Sequence, residues 1–342
     1  MASVTCCLGP DCAGTVLSGR LAAARSRLDV AVYELGPYYL PPLLAARSHG
    51  AAVRVLLDHH PGANSGALPL LARAGIGCRL LGSSKPGDEA HWKLLQIDGT
   101  VAVGTGNLLK RDAPRDPDGR LPPEGAAAMP GTREWWALVD GCPGLVTQAR
   151  GLFEVAWSSA GPAPPTWPEL APPEIPPIGV PRPQVGPLRA DIDDNRLRLV
   201  AGGTAVADLL LDRVAAARGR VLVTVPYVHP GAPAVVPLLA ALEQAAGRGI
   251  DTRLLLGRAP GADVAAVGRL RLDIRVMDPA RCTTGHAKGA VIDETVLVAS
   301  ANWSGGGLGG NREVALEVDA PLVADYFAAA LERDWGDSRP LG

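Results

Sequence analysis

The chain repeats itself, and this limits what it can fold into more than any other feature. Residues 16–57 read VLSGRLAAARSRLDVAVYELGPYYLPPLLAARSHGAAVRVLL, and residues 209–256 read LLLDRVAAARGRVLVTVPYVHPGAPAVVPLLAALEQAAGRGIDTRLLL. Each passes from a helix-forming run ending in AAAR into a β-branched apolar strand that stops near a tyrosine, Tyr33 or Tyr227. Each continues with a Leu/Ala-rich helix, a glycine and another apolar strand. This strand–helix–strand alternation predicts α/β layers. Later blocks recur in the same order: HWKLLQIDGTVAVGTGN (91–107) with HAKGAVIDETVLVASAN (286–302), TREWWALV (132–139) with NREVALEV (311–318), and PGLVTQARGLFEVAW (143–157) with APLVADYFAAALERDW (320–335). A long internal repeat means two like structural units. Residues 158–187 between them are dense in proline and lack periodicity, so they read as an extended connector with polyproline II character, or as a strap, carrying Trp167, packed across both lobes. The predicted organisation is an N-terminal half 1–157, a connector 158–187 and a C-terminal half 188–342.

The chemistry concentrates in one motif. The chain has only four lysines, yet two of them fall in His-x-Lys-x4-Asp: His91, Lys93, Asp98 and His286, Lys288, Asp293. Chance would supply such a pattern on the order of a few thousandths of a time per chain; here it occurs twice, at equivalent positions of the repeat. LLQI and GAVI read as strands, so a histidine and a lysine two residues apart point to one face. The aspartates mark a turn. A second strand follows and ends in Gly104-Thr105-Gly106-Asn107 or Ala299-Ser300-Ala301-Asn302, so the hairpin returns each asparagine towards its histidine and lysine.

Two such sets suit displacement at a phosphodiester. Lys93, Lys288, Asn107 and Asn302 would surround the non-bridging oxygens with donors as charge builds there. One imidazole can attack phosphorus, and the other can protonate the leaving alkoxide. The lysines already supply positive charge, so neither metal nor cofactor is expected. An attacking histidine needs an acceptor on its other ring nitrogen, and Glu134 and Glu313, on the strand after each asparagine, are the candidates.

Over almost its whole length the sequence resembles the phospholipase D superfamily. The likeness lies in the duplicated HxKxxxxD motifs, the small-residue-plus-Asn segments, the downstream glutamates and the N-terminal strand–helix–strand of each half. It implies two tandem α/β/α sandwich domains related by pseudo-twofold symmetry, with both motifs meeting in one site. It further implies a phosphohistidine intermediate, His91 as nucleophile, His286 as general acid, and a supporting role for Asp98 and Asp293. The Asp-to-Asn spacing is 9 residues in both halves, one fewer than the family usually shows, which predicts a tighter hairpin. Thr105 stands where the family usually has a serine, as Ser300 does in the second half, and it offers a similar hydroxyl.

The net charge of −2 argues against a long nucleic-acid footprint. With the aromatic and apolar residues near the motifs it favours a phospholipid substrate, with a DNA- or RNA-cleaving nuclease as the alternative and a non-catalytic phosphate-binding module as the third reading. No membrane span or secretory signal is recognisable, so a cytoplasmic location is expected. One chain holds both motifs, so a monomer is expected. Cys6, Cys7, Cys12, Cys78, Cys142 and Cys282 lack metal-ligand spacing and read as reduced thiols. Trp92 and Trp303 are candidates for the pocket wall and Trp136 for the core. Tyr33, Tyr227 and His229 are candidates for the cleft, and His59 and His60 for a solvated loop. Residues 109–131 interrupt only the first half, just after Asn107, as a lid or a disordered insertion.

Overall fold

In the computed structural model, residues 1–341 are described apart from 61, 84, 86, 117, 122, 124–125, 165–181, 259–260 and 281–283. Most of the proline-rich connector, with Trp167, and Cys282 therefore lie outside the described residues. Two sheets hold the remainder. The first contains β1 (Ala2–Gly9), β2 (Arg27–Val32), β3 (Ala52–Asp58), β4 (Gly77–Leu81), β5 (Lys93–Ile97), β6 (Thr100–Gly104), β7 (Thr132–Asp140), β8 (Gly161–Pro162) and β9 (Leu188–Ile192). The second contains β10 (Leu197–Ala201), β11 (Arg220–Val225), β12 (Asp251–Leu256), β13 (Asp273–Val276), β15 (Gly289–Ile292), β16 (Thr295–Ala299), β17 (Val314–Asp319) and β18 (Arg339–Pro340), while the short β14 (Thr284–Gly285) joins the first.

The spatial order is β8-β4-β3-β2-β5-β6-β7-β1-β9 in one sheet and β18-β13-β12-β11-β15-β16-β17-β10 in the other. Apart from β9 the two orders correspond strand for strand, so the tandem α/β arrangement anticipated from the repeat is what the structure holds. In each sheet the βαβ strands run parallel (β2–β3–β4 and β11–β12–β13), and the motif hairpins lie antiparallel beside them. β9 follows the connector, within residues read as the second half, yet it pairs with β1 from Ala2↔Ile192 to Cys6↔Leu188.

Three cores separate the layers. Helices α1 (Ala13–Ala22), α2 (Leu40–Ser48) and α3 (Asn64–Arg73) cover the outer face of the first sheet through Leu17, Leu43, Leu68 and Trp136. In the second half α5 (Gly203–Ala216), α6 (Val236–Gly247) and the single turn α7 (Val264–Val267) do the same through Val206, Leu210 and Leu238. Between the sheets lie α4 (Pro143–Ser159) and α8 (Pro321–Gly336), and one continuous core there joins Val4, Trp135 and Phe153 to Leu316 and Phe327. Strands covered on both faces need near-continuous apolar runs, which Val221-Leu222-Val223 and Val101-Ala102-Val103 supply.

The motif aspartates close this frame. Asp98 and Asp293 both adopt positive φ, 50° and 51°, at the hairpin turns. Asp98 accepts the backbone N–H groups of Arg25, Ser26 and Arg27 at 2.8–2.9 Å. Asp293 does the same for Arg218, Gly219 and Arg220 at 2.7–3.1 Å. Partial burial pushes Asp98 up, but these donors and the Ser26 hydroxyl outweigh it and hold the carboxylate at about 2.

One buried ion network ties the halves together. Arg133 on β7 is 1% exposed; its Nε donates to Asp334 of α8 at 2.8 Å, and its Nη1 donates to Asp11 at 3.0 Å and to the Gly9 carbonyl at 2.9 Å. Removing one partner of such a network leaves charge buried without compensation. Arg133→Met is expected to cost about 3–5 kcal/mol, read as a lower midpoint in urea unfolding.

Candidate active site

β5 begins two residues after His91 and β15 three residues after His286, and the extended chain leading into each strand turns His91 and Lys93, and likewise His286 and Lys288, to one side. Backbone bonds from the opposite half fix both histidine segments. β14 runs parallel to β7 (Thr284↔Thr132, Gly285↔Arg133), and the His286 N–H continues the pairing to the Arg133 carbonyl at 3.0 Å. On the other side, the Arg312 N–H donates to the Glu89 carbonyl at 2.8 Å. Each histidine therefore arrives beside the strand that carries the other half's glutamate.

The ring contacts follow from this crossing. His91 Nδ1 lies 3.0 and 3.1 Å from the two carboxylate oxygens of Glu313, and His286 Nδ1 lies 2.6 Å from Glu134 Oε1. Each glutamate is fully buried and held in turn by a hydroxyl of its own half. Thr105 Oγ1 donates to Glu134 Oε2 at 2.5 Å while accepting the Trp135 N–H at 2.9 Å. Ser300 Oγ donates to Glu313 Oε2 while accepting the Val314 N–H at 2.9 Å. Thr105 thus makes the same bonds as Ser300.

The lysines lie beneath the rings. Lys93 Nζ donates to the His91 carbonyl at 2.7 Å, and Lys288 Nζ donates to the His286 carbonyl at 2.6 Å and to the Thr105 carbonyl of the first half at 3.1 Å. Burial lowers Lys93 to about 7, helped by the charge of Lys288, and lowers Lys288 to about 8. His91 falls well below the usual imidazole range through burial and the two lysines. Burial lifts Glu313 to about 8 despite Lys93. Glu134 behaves differently: burial alone would raise it, but the charges of His286 and Lys288 bring it down to about 2.

Residues 210–335 match the family model described as cardiolipin synthase, PLD-like domain. Those residues, which make up less than half of the chain, are similar to a phospholipase D-like domain. Among curated proteins none matches it in sequence. A polyphosphate kinase from Porphyromonas gingivalis superposes with a TM-score of 0.60 at 16% identity, over 97% of this chain but only 50% of that one. A phosphatidylserine synthase from Haemophilus influenzae Rd KW20 superposes with a TM-score of 0.67 at 12% identity, over 98% of this chain and 87% of that one. At these identities the likeness is one of fold, and it spans both halves of the chain.

Of the residues singled out from sequence, His91, Lys93, Glu313 and Ser300 form one group, and His286, Lys288, Glu134 and Thr105 form another. Each group draws on both halves. Asp98 and Asp293 lie at the far ends of the hairpins, bonded to the loops described above. Asn107 is buried; its Oδ1 accepts the Glu34 N–H at 3.3 Å. Asn302 Oδ1 is buried without a hydrogen-bond partner. The Tyr33 ring meets His91 edge-on at 5.1 Å and His60 at 6.1 Å, and Tyr227 lies 5.0 Å from His229 and under Arg258 at 4.5 Å.

Trp92 packs in the core between the sheets and also lines a hollow with Leu152 and Arg312, while Trp303 packs in the outer core of the second half, where it shares a small cavity with Lys288. The start of the 109–131 insertion does not hang free as a lid would. Tyr39 Oη donates to the Ala113 carbonyl at 2.5 Å, Tyr38 Oη bonds both the N–H and the carbonyl of Arg115, and a Cβ on Gly14 would lie 1.9 Å from the Pro114 carbonyl oxygen. Sequence reading missed Asp112 in this segment. Asp112, Glu134 and His286 bring ligand-type atoms within 4.8 Å of one another. Lys288 and Arg111 bring positive charge against that group, and His286 Nδ1 is already engaged by Glu134, which is a poor donor set for a cation. The sequence signal for Asp112 was its place five residues after Asn107.

Buried lysines of lowered basicity carry a stability cost with a definite pH dependence. Lys93 stands near 10.5 when unfolded and about 7 when folded, so its cost is full below about 7 and fades as pH rises towards 10.5. Lys93→Met is therefore expected to raise stability by roughly 2–4 kcal/mol near pH 6, with the gain shrinking towards pH 10. Thermal unfolding of the variant and the parent across this range measures it.

Proposed function

We propose that the chain is a phospholipase D-type phosphodiesterase that hydrolyses a phospholipid through a covalent phosphohistidine, with His91 as nucleophile, His286 as general acid and no metal. The observation that carries this reading is the pair of crossed His–Glu contacts, each above a buried lysine. Burial and the lysines keep the His91 ring neutral, and its Nδ1 is turned to Glu313, which leaves the Nε2 lone pair for phosphorus. His286 faces a glutamate held ionised, which stabilises an imidazolium.

In the first step His91 Nε2 forms a bond to phosphorus as the bond to the leaving oxygen breaks, and His286 passes its proton to that oxygen. In the second step water attacks phosphorus, His286 takes the water proton, and the P–N bond breaks to return neutral His91. Lys93, Lys288, Asn107 and Asn302 donate to the non-bridging oxygens as charge accumulates on them. Binding of an anionic diester favours the charged form of both lysines.

Charge around the cleft supports a phospholipid over a nucleic acid. Glu34, Asp58 and Glu89 all act on Tyr33, beside His91, and Glu89 also acts on Tyr227. Of these, Glu34 and Glu89 are partly exposed, and their carboxylates repel a polyanion, which a nucleic-acid groove would attract. The fold shared with a phosphatidylserine synthase over 98% of the chain is in keeping with this.

The test is turnover in EDTA of fluorescent phosphatidylcholine and, separately, of single-stranded DNA and RNA. Release of choline and phosphatidic acid is expected, falling at least about 1,000-fold in His91→Ala and in His286→Ala. Cleavage of nucleic acid alone would make the chain a nuclease. No turnover of any substrate, with His91→Ala still binding phospholipid vesicles, would point to a phosphate-binding module.

A further inference from the structure

The two crossed pairs differ in the acids that accompany each glutamate. The insertion after Asn107 carries a second acid to His286, beside Glu134, and the second half has only WSGGGLGG at that point. Asp112 is 1% exposed. Its Oδ2 accepts the Asn107 N–H at 3.0 Å, and its Oδ1 accepts from Arg111 Nε at 3.2 Å and from Thr132 Oγ1 at 3.3 Å. Thr132 Oγ1 also reaches Glu134 Oε1 at 3.4 Å, so one hydroxyl links the two acids. Gly106 makes room for this arrangement: a Cβ there would lie 2.6 Å from the Glu134 carboxyl carbon, and the corresponding residue of the second half is Ala301. Around His91 the position matching Thr132 is Asn311, a neutral amide bonded to Glu89 at 3.0 Å. The further acid acting on His91 is Asp58, whose oxygens are taken by the Ala90 N–H at 2.6 Å and by His60 at 2.9 Å.

We propose that Asp112 is a positioning residue that makes the duplicated site directional: through Glu134 it keeps the proton on His286, so that His286 serves as the acid and His91 attacks. This rests on the phosphodiesterase reading above. The charged groups facing His286 are Asp112 and Arg111 from the insertion, Glu134 from β7, Lys288 from its own strand, and His91 with Lys93 from the β5 side. Lys288 and Arg111 oppose a charged ring, and the two acids favour it. Two carboxyls in one dry pocket share their protons unequally, and burial, with the charge of Glu134 added, pushes Asp112 up. Where both acids are ionised, Asp112→Asn removes negative charge beside His286; where Asp112 holds the proton, it removes a proton donor to the shared pocket and leaves Glu134 as the charge.

Asp112→Asn keeps the shape and an acceptor oxygen for the Asn107 N–H while removing the acid. Two readouts test it. The first needs no substrate: ring nitrogen NMR of the full chain labelled with ¹⁵N-histidine. In the variant the His286 signals are expected to move towards the neutral form at pH 7, with the titration displaced by about one unit to lower pH, while those of His91 stay in place. The second is the pH profile of kcat/KM, in which the alkaline limb is expected to move down by a similar step while the acid limb stays. If neither the His286 signals nor the alkaline limb moves, or if both histidines and both limbs shift together, the proposal is overturned. Changes in the His286 signals on adding Zn²⁺, abolished in Asp112→Asn, would also overturn it, by making the three residues a metal site. Asp112→Ser gives the same readouts if Asp112→Asn does not fold. Should the protein turn over no phosphodiester, the functional reading fails, and the NMR titration still decides the role of Asp112.

Discussion

Each motif histidine of this protein is oriented by a carboxylate that its own half does not contain. Glu313 holds His91 and Glu134 holds His286, and the contacts span 222 and 152 residues of chain. The site therefore exists only when the two sheets face each other correctly. The structure secures that registry in several ways: the core shared by α4 and α8, the backbone pairing of β14 with β7, and the buried Arg133 bonded to Asp334. Lys93 and Lys288 oppose folding, because burial disfavours their charge. The large apolar interface between the sheets is what tolerates them, as active sites commonly require of the surrounding fold.

From the rings outward, each layer is less polar and more tightly constrained. Imidazole meets carboxylate, carboxylate meets hydroxyl, and the hydroxyl is fixed by a strand N–H. The final link is to the β7 or β17 backbone, among the best-packed elements of the fold. Orientation of the reactive nitrogen is thus set by sheet geometry rather than by a mobile loop, which is the condition for preorganised catalysis.

Much of this was legible in the sequence, for identifiable reasons. Hydrophobic runs and the repeat order specify the strands, and a second copy in the same order checks the first. The HxKxxxxD spacing reveals a hairpin because an aspartate in a tight turn can gather the N–H groups of a neighbouring loop, as Asp98 and Asp293 do. Which glutamate serves which histidine was not legible: a duplicated sequence allows pairing within a half or across halves, and only the packing of the sheets chooses. Trp92 and Trp303 looked like wall residues because they are near the motifs in sequence, but neighbours on a strand face opposite ways, and both side chains pack into cores. β9 was hidden because nothing in LRADI says which sheet edge it will extend. Asp112 was obscured by its segment, which has no counterpart in the other half against which to compare it.

That segment shows how a duplicated site escapes its own symmetry. Two identical half-sites would offer two equivalent histidines, and either could attack, so that part of the population would always hold the wrong proton distribution. Changing a motif residue would break the symmetry at the cost of the donors that surround the phosphate. An insertion beside one motif leaves all those donors in place and alters only the surroundings of one pair. To do so it must be rigid, because a charge acts on its neighbour only at a fixed distance. The described ends of the insertion meet this need: Tyr38 and Tyr39 hold Ala113 and Arg115, Gly14 gives the near end space, and residues near the far end are bonded to the connector through the Ala128 N–H on the Arg182 carbonyl and the Gln184 N–H on the Ala126 carbonyl. Its near end reads as part of the scaffold of the site, with Asp112 as its point of contact.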